Sequence, residues 1–400
     1  MRLLIRNARI WDGVSDDYSP ADAVLCVDGR IAELASAEAD QVIDLRGQAL
    51  LPGFIDAHFH AYASEVNIPH LETLPLSYLA HHAAGLLKSA LHRGFTTVRD
   101  AGGADWGLWR ALEDGLIEGP RLLYAGRALS QTGGHGDKRA PHAEPCGCRH
   151  VANLSEVVDG VDAVRRAARE TLRKGAHHLK IFVSGGVSSP TDPIWMQQYS
   201  AEEIRAVVEE ARSRRTYVMA HAYTPETIIH AVRNGVRSIE HGNLLNAEAA
   251  AVMAEHNAVL VPTLVTYEAL ARRGAEFGLP AVSQQKLQDV LGQGADAIRL
   301  ARAAGVRVGF GTDLLGPLHD WQLQEFSLRA GTDAPADILR SATSVNAALI
   351  NRTGELGVIA PGAAADLVAF DGDPLADISV IAAKGPSLVV KGGAVVCRAT

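Results

Sequence analysis

His58 and His60 stand two residues apart at the end of the run Gly53-Phe54-Ile55-Asp56-Ala57. Side chains alternate across a strand, so both imidazoles face the same way and can grip one ion. Four further residues sit in or just after short apolar runs. They are Lys180 in Leu179-Lys180-Ile181-Phe182-Val183, His221 after Val218-Met219-Ala220, His241 after Ser238-Ile239-Glu240, and Asp313 after Phe310-Gly311-Thr312. Together the six make a complete ligand set for two divalent metal ions, and the chemistry such a set supports is metal-assisted hydrolysis.

Lys180 is the least expected member. At an interior strand position an ammonium is costly to desolvate unless it is paired. Made neutral, it can combine with carbon dioxide to give a carbamate whose two oxygens bridge two cations. A snorkelling lysine or a buried ion pair is the other reading. His221 and His241 would hold the second ion; the chain has 16 histidines, and only their place at successive strand ends sets these two apart. Asp313 can coordinate an ion and also accept a proton, which makes it the catalytic candidate. This ligand mixture favours zinc, with cobalt or manganese as substitutes.

Such residues need a scaffold that gathers them. From about residue 53 to 350, short apolar runs alternate with longer stretches of helical period, the mark of repeated strand-helix units. Eight strands are expected at 54–58, 96–100, 122–126, 179–183, 217–221, 238–240, 259–261 and 306–311. Helices are expected over 155–174 and 201–214, the latter opened by the capping box Ser200-Ala201-Glu202-Glu203. Eight units in this length predict an α/β fold, a (β/α)8 TIM barrel spanning 53–355, with the functional groups at the strand C-termini. An open doubly wound sheet would announce a glycine-rich phosphate loop after its first strand, where this chain has His58-Phe59-His60.

Residues 1–52 and 356–400 are rich in Val, Ile, Leu and Gly, with turn signals at Asp12-Gly13, Asp28-Gly29 and Asp371-Gly372-Asp373-Pro374. They predict short antiparallel strands forming one small composite β-sandwich from both termini. Residues 131–150 have no regular period and are read as part of the substrate pocket or its lid. Cys146-Gly147-Cys148, flanked by His142 and His150, is a loop with incidental thiols or a separate zinc site.

With 47% hydrophobic and 21% charged residues, the 400-residue chain has ample material for a core. Its net charge of −8 gives no reason to bind nucleic acid, and no continuous apolar stretch predicts a membrane span. The expected partner is a small-molecule substrate, and a homo-oligomer stays open. Four scattered cysteines and the absence of a signal-like N-terminus predict reduced thiols and a cytoplasmic location.

The stretch Leu51-Pro52-Gly53-Phe54-Ile55-Asp56-Ala57-His58-Phe59-His60, with Lys180, His221, His241, Gly311-Thr312-Asp313 and Ala365-Asp366-Leu367-Val368-Ala369-Phe370, resembles the amidohydrolase superfamily over essentially the whole chain. The resemblance implies a binuclear centre bridged by carboxylated Lys180 and hydroxide, and hydrolysis at a carbonyl carbon. The stretches 96–103, 133–137, 184–187 and 221–223 are similar to its prolidase-like and carboxypeptidase-like branch, with an ochratoxin-type amidase nearby. That branch implies cleavage of dipeptides (Xaa-Pro or Xaa-hydrophobic) or N-acyl amino acids, with Tyr223 and His135 binding substrate and Tyr223 at its carboxylate. A deaminase or cyclic-amide hydrolase of the same superfamily is the alternative enzyme, against which Lys180 argues, and a non-catalytic scaffold is the alternative of another class.

Overall fold

The computed structural model describes residues 1–139, 154–189 and 191–398. Its centre is parallel sheet. Seven strands lie in the spatial order 155–157, 128–130, 179–182, 218–222, 238–241, 259–261 and 307–308, and three more in the order 54–59, 95–100 and 121–123. Every pairing within these two sheets is parallel. Backbone hydrogen bonds link the two sheets: Ala57 N to Phe310 O (2.9 Å) and Asp313 N to His58 O (2.7 Å) beyond strand 307–308, and His177 N to Tyr124 O (2.9 Å) just before strand 179–182. The strands are buried on both faces, as parallel sheets flanked by helices must be.

Helices between the strands cover the sheets with their apolar faces. Ala201–Ser213 starts where the sequence signals it, since the Ser200 hydroxyl accepts from Glu203 N (3.3 Å) and the Glu203 carboxylate accepts from Ser200 N (2.8 Å). The helix expected from residue 155 begins only at Val161. Ser155–Val157 is instead a strand beside Ala128–Ser130, and Gly160, at φ 82°, separates the two in a conformation open to glycine. The strand expected over 122–126 is likewise divided into Arg121–Leu123 and Ala128–Ser130, with Gly126 at φ 68° between them.

Two smaller sheets use both ends of the chain. One has the order 30–33, 24–27, 2–6, 41–44; the other is 394–398, 388–391, 367–370, 49–52, 9–10. The Asp28-Gly29 signal is the turn of a hairpin between Val24–Val27 and Arg30–Glu33, with both residues at positive φ. These sheets are not purely antiparallel as expected. Arg2–Arg6 pairs parallel with Gln41–Asp44, and Arg9–Ile10 parallel with Ala49–Pro52, because the chain crosses over after each hairpin rather than turning straight back. Gly53 N donates to Asp366 O (2.8 Å), fixing the point where the second sheet hands the chain to the strand that carries His58.

No helix is long and apolar enough to cross a membrane among the described residues. Cys146, Cys148, His142 and His150 lie outside the described residues, so the expectation of a separate zinc site there rests on sequence alone.

Candidate metal centre

All six expected ligands line a single cleft of about 750 Å³ together with Tyr223 and His135. His58 and His60 arrive from strand Phe54–Phe59 and the residue after it, and their rings lie 5.3 Å apart. Asp313 faces both: its Oδ1 is 3.4 Å from His58 Nε2 and 3.2 Å from His60 Nε2. The ligand atoms of these three residues fall within 4.8 Å of one another, close enough to hold one metal ion. His241 stands next to them, with Nδ1 3.9 Å from Asp313 Oδ2 and its ring 4.8 Å from that of His58 and 4.7 Å from that of His221. Lys180 and His221 form the adjoining wall rather than part of the three-residue cluster.

Close approach is built into the backbone. A Cβ on Gly311 would lie 2.6 Å from the His58 Cβ, so only glycine lets the two strands meet at this level. His241 (φ 71°) and Asp313 (φ 51°) both hold the left-handed conformation that side chains rarely adopt. Such strain persists only where surrounding structure enforces it, and it collects at working sites.

Each histidine has one ring nitrogen engaged and the other left over. His58 Nδ1 contacts Glu240 Oε2 (2.7 Å), His60 Nδ1 contacts Gly102 O (3.1 Å), and His241 Nδ1 contacts Thr263 Oγ1 (2.9 Å). All three leave Nε2 for a ligand bond, the orientation by outer partners that metal sites use. His221 does the reverse, with Nε2 on Gly185 O (3.1 Å) and Nδ1 left over.

The charges follow suit. Burial works against an ionised Glu240, but the Arg99 guanidinium, which donates to Glu240 Oε1 (2.9 Å), and His58 hold its carboxyl far below the usual range. Burial opposes ionisation of Asp313 as well, and His58, His60 and His241 overcome it, leaving a carboxylate at neutral pH. Burial and the neighbouring cationic groups keep His221 and His241 neutral, as metal ligands must be. Lys180, 2% exposed, is pushed down to about 8 by burial, against the pull of Glu240 and Asp313. Its Nζ has no hydrogen bond or ion pair among the described residues and lies 5.7 Å from the Phe182 ring centre. Four imidazoles each with a spare nitrogen, an ionised carboxylate and a buried amine lacking a partner are a donor set that fits divalent cations.

His135 stacks on His221 with ring centres 4.4 Å apart. Its Nδ1 meets Ser189 Oγ (2.8 Å) and Asp192 Oδ2 (3.2 Å), and its Nε2 meets Ser188 Oγ (3.2 Å). Gly186 is the floor beneath the ring: a Cβ there would lie 2.2 Å from His135 Cε1. Burial, then Lys138, push the imidazole down to about 4, so it is neutral. The Tyr223 hydroxyl accepts a hydrogen bond from Tyr267 (2.9 Å), which leaves its own proton to give. Burial raises its pKa well above the ordinary value, so that proton stays in place.

Several supporting residues escaped sequence reasoning. Glu240 precedes His241 in the buried strand Ser238–His241, and period-2 alternation with Ser238 could have flagged an interior carboxylate. Asp192 and Lys138 lie in irregular segments, where nothing in the spacing marks them.

The chain matches the description "Amidohydrolase family" over residues 49–396. It is 33% identical to ochratoxinase of Aspergillus niger, over 93% of this chain and 82% of that protein. Among solved structures it is similar to a prolidase complexed with N-methylphosphonate-L-proline (47% identity, TM-score 0.97, all of both chains). It also resembles a Xaa-Pro dipeptidase with methionine in its active site (29% identity, TM-score 0.88, 99% of both chains). The cleft geometry and these likenesses agree, and the chain belongs to the amidohydrolase family.

Proposed function

We propose that this protein is a binuclear metal-dependent amide hydrolase acting on dipeptides, Xaa-Pro or Xaa-hydrophobic, or on N-acyl amino acids with a free carboxylate. In this reading His58, His60, Lys180 as its carbamate, His221, His241 and Asp313 hold two divalent cations, zinc by preference. The parallel strands form one closed (β/α)8 barrel over 53–355, and the sheets of 1–52 and 356–400 pack as a composite sandwich; the hydrogen bonds between the two parallel sheets support the closure. Bound divalent cations supply Lewis-acid polarisation of the carbonyl and acidify water.

The chain's own groups do the rest. Asp313, ionised and within reach of both His58 and His60, takes the proton released as water attacks, and passes it to the departing amine. Neutral His135 offers a hydrogen-bonding nitrogen beside His221, and Tyr223 donates its free proton to the substrate carboxylate. Glu240 and Arg99 keep His58 in one orientation.

The observation that carries the reading is the convergence of all six ligand candidates with Tyr223 and His135 on one cleft. A deaminase is disfavoured by the buried, unpaired Lys180, which a single-metal site leaves without a role. The test is a panel of dipeptides and N-acyl amino acids, with Xaa-Pro and Xaa-hydrophobic members, incubated with zinc- and bicarbonate-reconstituted protein. Amine release from panel members is expected, and ammonia release from heterocycles instead would overturn the assignment.

A further inference from the structure

The cleft contains a second lysine. Lys138 lines it together with the metal-ligand candidates, half-buried, in the described part of the segment that follows Gly133-Gly134-His135. Its Nζ makes one hydrogen bond, to the Ser188 hydroxyl at 3.2 Å. No carboxylate oxygen lies within 4.0 Å of it among the described residues. The acidic groups whose charge it feels, Asp192, Glu72 and Asp313, act from farther away. An ammonium has three donors to place, and a lysine taken out of water without an ion-pair partner is costly.

The neighbouring lysine shows what a spent cation looks like. Lys286 donates to Gly186 O (3.1 Å), Ser189 O (2.9 Å) and Asp192 O, with Asp192 Oδ1 at 3.6 Å. Those bonds pin the segment that carries Asp192 to His135, and they use up all three ammonium hydrogens. Asp192 is already engaged, its Oδ2 by His135 Nδ1 (3.2 Å) and Gly186 N (3.0 Å) and its Oδ1 by the Ser189 hydroxyl, with Lys286 nearby. Lys138 therefore keeps donors free toward the cleft, and the Ser188 hydroxyl beside it adds a hydrogen-bonding group. Both line the same cleft as Asp313 and Tyr223.

We propose that Lys138 is the cation that recognises the substrate's free carboxylate, acting beside Tyr223 as a specificity-determining residue. The inference rests on the amide-hydrolase reading above. An oxygen of the carboxylate supplies the ion-pair partner that Nζ lacks among the described residues, so substrates with a neutral group there leave a half-buried charge unanswered. Charge-assisted hydrogen bonds of this kind are the strong ones, and a neutral carboxamide cannot form them.

The experiment measures binding, not turnover. N-methylphosphonate derivatives of L-proline and L-phenylalanine, each as free acid and as carboxamide, are titrated by calorimetry into the metal-loaded full chain. The wild type is expected to bind the better acid at least about 10-fold more tightly than its carboxamide, which corresponds to about 1.4 kcal/mol. Lys138→Met should bring that ratio close to one, while Lys138→Arg should retain a preference for the acid. Circular dichroism and thermal melting check that both variants are folded. Equal affinity for acid and carboxamide in the wild type, no binding of either, or a preference that survives in Lys138→Met overturns the proposal. The amide-hydrolase reading fails on a different result, a wild type that prefers the acids yet releases no amine from any member of the dipeptide and N-acyl panel.

Discussion

Two buried charged networks sit on the same sheet scaffold, and they are finished to different degrees. Around Arg329, every nitrogen is used: Nε on Glu325 Oε1 (2.7 Å), Nη1 on Gly309 O (2.8 Å) and Ser341 Oγ (3.2 Å), Nη2 on Pro262 O (3.0 Å). The other oxygen of Glu325 accepts from Val265 N (2.7 Å). Asp56 is as complete, accepting from His58 N, Thr312 N, Thr312 Oγ1 and Gln322 Nε2. In the cleft, by contrast, Lys180, Lys138 and Tyr223 keep a bonding position unspent. Completed networks lock strands together. Incomplete ones facing a cleft are where a ligand belongs.

The contrast breaks most visibly at its two poles. Asp313→Asn removes the proton acceptor and should lower kcat by about 10²–10⁴-fold while circular dichroism and melting stay close to wild type; activity near the wild-type level would remove Asp313 from the catalytic role. Arg329→Met should do the opposite. Leaving Glu325 buried without its partner costs about 3–5 kcal/mol in denaturant unfolding, with the metal content of the folded fraction unchanged. A loss of metal at native stability would mean that the two networks are not separate.

The pH dependence sharpens the same comparison. His135 is held down at about 4 by burial, against 6.5 in the unfolded chain, so the unfolded state binds the extra proton first as pH falls. Stability contributed by the neutral ring is present above about 6.5 and lost on the way down to about 4, up to an order of 3 kcal/mol. His135→Gln should flatten that part of an acid unfolding curve. An unchanged curve would show that the ring is not held neutral. Smallest of all, Ser200→Ala, at an exposed cap far from either network, should cost about 1 kcal/mol of stability and leave turnover alone; a change in kcat would tie that helix to the cleft.

How much of this was legible depended on periodicity. His58 and His60 could be read because a strand repeats every two residues, and the Ser200 cap because a capping box has a fixed spacing. The parallel strands followed from apolar runs of the right length, although Gly126 and Gly160 divided two elements that looked continuous. Parallel pairing in the terminal sheets was not legible, since strand direction depends on which distant segment lies alongside. Lys138, Asp192 and Lys286 were invisible for a related reason: their roles come from loops meeting across the cleft, and no local pattern encodes such a meeting.

Strand Ala49–Pro52 lies between Arg9–Ile10 and Leu367–Phe370, and Pro52 leads through Gly53 into the strand bearing His58. During synthesis its second neighbour emerges from the ribosome only after both parallel sheets have been made. Until then one rim of that apolar ribbon stays open to other nascent chains. Strand Leu367–Phe370 thus acts as a latch, and shielding of the early strand waits on its arrival.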